Sequence, residues 1–178
     1  MTEKKELEQE RIGLALAMGL LSAIVMVGSA DGDMDDAESV AAVPLLHPLS
    51  LYSSETKSKV IFNAAWAMVN RPDVVKNVWN HFAPPRTTKA LLNAHQELKK
   101  LPLSDRYRYD LVVRGVCTVV GEASGGGFFK GSAFSQTEQD TMMEVIRILW
   151  AGESTKPLDK KYDSFAEAAQ KFVTKHGF

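Results

Sequence analysis

Cysteine is almost missing from this 178-residue chain, with Cys117 standing alone. A single thiol excludes an internal disulfide and every cysteine-cluster zinc or iron–sulfur site, and it is compatible with a reducing, cytoplasmic compartment. An excess of either charge is missing too, because 21 Lys and Arg stand against 22 Asp and Glu, a formal net charge of −1. The cations are scattered apart from short groups such as Lys99-Lys100 and Lys160-Lys161, so the basic footprint of a nucleic-acid-binding protein is not there and no nucleic-acid partner is expected. Nor is there a clean period-two alternation of apolar and polar residues between turn signals, the mark of a strand. What remains is 45% apolar and 24% charged residues, an ordinary globular composition. At this length about 70% of the unfolded chain's surface can be buried, enough for a core without a disulfide or metal.

Apolar positions recur at three and four residues, which predicts an all-α fold. Helices are expected over 4–29, 36–46, 54–69, 73–82, 87–100, 105–123, 136–150 and 164–175. They make a compact bundle of about seven to eight helices in one domain, with its core in about 10–150 and with 151–178 as a linker and last helix. Pro44, Pro48, Pro72, Pro84, Pro85 and Pro102 fall between the expected helices or interrupt them. Ser135-Gln136-Thr137-Glu138 reads as a capping box, in which a hydroxyl and a carboxylate satisfy the free amides of a helix start.

Residues 12–30 form a run without charge, close to the roughly 20 residues that span a bilayer. The leader before it carries Glu3, Glu6, Glu8 and Glu10 against Lys4, Lys5 and Arg11, the reverse of a signal peptide's positive start. Small residues at Ala15, Gly19 and Ala23 suit close helix packing. The expectation is a buried central helix, the alternative being a signal or membrane segment. The pattern Val27-Gly28-Ser29-Ala30-Asp31-Gly32 matches Val120-Gly121-Glu122-Ala123-Ser124-Gly125 at Val, Gly, Ala and Gly. Each copy ends an apolar helix and precedes a cap, so an internal duplication with a pseudo-twofold is expected.

The densest chemistry is the acidic turn, where Asp31, Asp33, Asp35, Asp36 and Glu38 crowd beside an apolar helix. Hard cations such as calcium or magnesium take oxygen ligands of this kind around a glycine turn. An EF-hand is excluded, because counting from Asp31 puts Asp36 at the sharp-turn glycine and Ala42 at the bidentate glutamate. The residues expected to hold a divalent cation are Asp31, Asp33, Asp35 and Glu38, with Glu138 as the acidic group of the second copy. The competing reading makes Asp35 and Glu38 a capping box and leaves the others solvated.

An uncharged helix ending in Ala30-Asp31-Gly32, with Glu38 six residues after the glycine and a degenerate second copy, resembles the tellurite-resistance TerB-like family. The resemblance implies an all-α protein of two pseudo-symmetric halves. It also implies a cation-binding or scaffolding role in bacterial stress response, with a protein partner and without enzyme chemistry. In the second copy Ser124 replaces the aspartate and the loop is longer, so only Glu138 carries over. Two other readings stay open at this point: a metal-dependent hydrolase using the Asp31 to Glu38 carboxylates, and a membrane-anchored or exported helical protein.

Weaker motifs are read as structural. Gly125-Gly126-Gly127 lacks the Gly-Lys-Ser/Thr of a phosphate loop and is followed by Phe128 and Phe129, a loop that either folds onto the domain or offers an apolar tip to a partner. His47, His81, His95 and His176 have no ligand-pair spacing. Cys117 among Val113, Val116 and Val120 is expected to behave as a small buried hydrophobe.

Overall fold

The computed structural model describes residues 2–30, 32, 58–81, 84–124 and 135–152. Among these the chain is all-helical, with six helices and no strand: α1 (Thr2–Gly28), α2 (Lys59–Val69), α3 (Pro72–Asn80), α4 (Pro84–Leu98), α5 (Leu103–Ser124) and α6 (Gln136–Leu149). The helices expected over 36–46 and 164–175 lie outside the described residues, as does the Phe128-Phe129 loop.

α1 is the axis of the bundle and touches each of the other five helices. Leu16, Ala17, Leu20, Ala23, Ile24 and Val27 on it are fully buried, because a helix apolar around its whole circumference is stable only when enclosed. It is long and apolar enough to cross a membrane, and 72% of its most apolar window is buried inside the protein. Close approach depends on two glycines. A Cβ at Gly13 would lie 2.8 Å from the Ala64 methyl of α2, and one at Gly19 would lie 2.6 Å from the Ala94 methyl of α4. Around this axis Phe62 and Trp66 of α2, with ring centroids 5.5 Å apart, and Tyr109 of α5 fill the largest core positions. The Tyr109 hydroxyl donates to the Leu16 carbonyl of α1 at 2.7 Å.

Proline marks the boundaries from inside the helices as well as between them. Pro72 opens α3, and α4 begins on Pro84, earlier than the start expected near residue 87. First-turn amides have no helical acceptor, so a proline there forfeits no hydrogen bond and its ring presets φ. Pro102 instead precedes α5, and its carbonyl accepts the amides of Asp105 and Arg106. Asp105 is buried and accepts the Ser58 amide at 2.9 Å, so the first turn of α5 also caps the start of α2.

The two segments aligned as a duplication end their helices differently. α1 stops at Gly28, whereas α5 runs past the equivalent Gly121 to Ser124.

Candidate functional site

The acidic turn starts where α1 ends. The amides of Ser29 and Ala30 bond back to the carbonyls of Val25 and Val27, and that of Gly32 to Ser29, so the chain leaves the buried axis in a tight turn. Asp31, Asp33, Asp35 and Glu38 lie outside the described residues. Glu138 is described and buried at the start of α6. Its carboxylate accepts the Ser135 amide at 2.7 Å while the Ser135 hydroxyl accepts the Glu138 amide at 3.2 Å, the reciprocal capping box expected from the sequence. Among the described residues no group of three His, Cys, Asp or Glu side chains stands close enough to hold a metal ion.

A second polar cluster is buried between α5 and the end of α6. Arg114 grips Asp110 through Nε to Oδ2 at 2.6 Å and Nη2 to Oδ1 at 3.2 Å, one helical turn apart. The Trp150 indole donates to the same Oδ1 at 2.9 Å. Tyr107 stacks on Trp150 with centroids 5.3 Å apart, and the Arg106 guanidinium lies 4.8 Å from the Trp150 ring centre. A carboxylate holding a forked guanidinium and an indole has both oxygens engaged, so this cluster ties two helices together and specifies their register.

The other buried titratable groups are also engaged in packing. His95 Nδ1 lies 2.9 Å from the Leu149 carbonyl, linking α4 to α6. Burial pushes the Cys117 thiol up to about 12, against a smaller opposing pull from Arg114, so it stays protonated at neutral pH and is no nucleophile. Burial likewise raises the Tyr109 phenol.

Among the described residues a groove of about 480 Å³ lies between α1 and α4. Leu14, Ala15, Met18 and Ala90 give it an apolar floor. At one end Arg11 crosses from α1 to α4 and holds Glu97 at 2.7 Å, and Lys100 holds the other oxygen at 2.7 Å, so that carboxylate is neutralised twice. At the other end stand Arg86 and Lys89, both exposed and without a hydrogen bond or ion pair among the described residues. They occupy the opening turns of α4, whose first turn carries no acidic residue. The helix dipole disfavours cations there, so their charge adds to an end that is already positive.

Comparisons of the chain with family models, with curated proteins and with solved structures find no match. Sequence reasoning missed the groove and the Asp110–Arg114–Trp150 cluster. Two signals were available: an Asp-to-Arg spacing of four where α5 turns apolar, with Arg114 inside the Leu111 to Gly121 run, and two cations where a helix start favours acids.

Proposed function

We propose that the protein is a non-enzymatic, cytoplasmic binding or scaffold module of TerB-like kind, acting in bacterial stress response. In this reading the 31–38 turn takes a divalent cation. The observation that carries it is the junction at Gly28, where a strongly acidic stretch of sequence follows directly on the buried helix that touches every other described helix. Ser29 and Ala30 are hydrogen-bonded to the end of that helix, and a binding segment anchored at one end has less ordering cost to meet. The pseudo-twofold duplication belongs to the same proposal and rests on the sequence match.

Calorimetry tests the reading. One site per chain is expected, with calcium preferred over magnesium because calcium tolerates irregular oxygen geometry. Asp31→Asn with Glu38→Gln abolishes it, and Glu138→Gln leaves it in place while weakening the α6 cap. Absence of heat and of any thermal shift with millimolar calcium, magnesium or manganese overturns the cation site.

A further inference from the structure

We propose that the α1–α4 groove is a docking site for an acidic amphipathic helix of a partner protein, with the partner's carboxylates set against Arg86 and Lys89. The groove lies between two antiparallel helices, as the Arg11–Glu97 pair and the Gly19 to Ala94 approach show. Two parallel walls with an apolar floor fit a third helix, whose residues at i, i+3 or i+4, and i+7 lie on Leu14, Ala15, Met18 and Ala90. Leu14 of α1 is 43% exposed, so the groove leaves apolar surface of the axis itself open.

Charge selects the partner. Among the described residues the lining carries Arg11, Arg86 and Lys89 against Glu97, and Glu97 is already held by Arg11 and Lys100. Among the described residues Arg86 and Lys89 have no acidic partner, and they stand at the α4 N-terminus, which adds its own partial positive charge. A helix with glutamates flanking its apolar seam meets both demands, and a basic helix with the same seam meets repulsion. A neutral apolar helix would leave the two cations facing it without counter-charge. The proposal does not depend on the cation site at 31–38, so either can fail alone.

The test uses the full chain and two labelled helical peptides that share a leucine seam, one with glutamate and one with lysine on its flanks. Fluorescence anisotropy is expected to show the acidic peptide binding about tenfold or more tightly than the basic one, with affinity falling as salt is added. Arg86→Glu with Lys89→Glu should invert that preference, and Met18→Gln, which removes apolar floor without adding charge, should weaken both peptides. Far-ultraviolet circular dichroism melts of each variant establish that it folds before it is scored. Equal binding of the two peptides, a preference unchanged by the charge reversal, or binding to anionic phosphatidylglycerol vesicles without binding to the acidic peptide would each overturn the proposal.

Discussion

Gly19 shows how much one absent methyl group decides. In an exposed helix, replacing glycine by alanine stabilises by roughly 1 kcal/mol through backbone entropy. At Gly19 the new Cβ would meet the Ala94 methyl at 2.6 Å and the Tyr109 hydroxyl at 2.8 Å, the latter already bonded to Leu16. Overpacking of that kind costs about 1–3 kcal/mol. Gly19→Ala is therefore expected to lower stability in urea unfolding by about that amount. Gly32→Ala, with no atom within 4 Å of its Cβ, should change it by a few tenths at most. An unchanged midpoint for Gly19→Ala would mean that α1 and α4 can part without loss. The small residues of this helix, Gly19 and Ala23 among them, were legible as packing residues because their size in an apolar run has few other uses. The Arg11–Glu97 pair was not, since its partners are 86 residues apart and nothing local signals the match.

Elements are fixed here by their ends as much as by their apolar faces. The start of α6 could be read directly from Ser135 and Glu138, because a capping box is a local device whose partners are three residues apart. Ser135→Ala should cost about 0.5–2 kcal/mol, measured by thermal unfolding. A smaller loss would show that packing of Met142, Val145 and Ile146 holds the helix unaided. The start of α2 could not be read in that way. Ser58 makes no side-chain cap, and Asp105 supplies the acceptor from another helix. The proline pair before α4 was read as a break when it is the first turn, since a proline's ring fits both roles. The paired Asp110 and Arg114 were overlooked because their spacing is also that of an ordinary surface pair.

Stability of the whole bundle should depend on pH from the alkaline side. Burial raises the Cys117 thiol from 9.0 to about 12 and also raises the Tyr109 phenol, so the folded chain keeps protons that the unfolded chain releases. The stabilisation these groups provide is complete below about pH 9 and is lost as pH climbs from there towards the folded-state values. Each proton contributes a slope of at most about 1.4 kcal/mol per pH unit. The melting temperature should therefore hold level up to about pH 9 and fall beyond it, less steeply in Cys117→Ala. Identical slopes in the two proteins would sink the assignment to this thiol.

The place of α1 in the chain also sets a timetable. The helix that every other helix needs is made first, and α6 follows about 120 residues later. At about 5–20 residues per second the ribosome takes roughly 6–24 s to cover that distance. Until the last of the other helices has followed, the apolar axis lacks part of its final cover and presents the composition of a segment bound for a membrane. Order of synthesis thus leaves the axis waiting for α4, α5 and α6, an exposure that the finished bundle no longer displays.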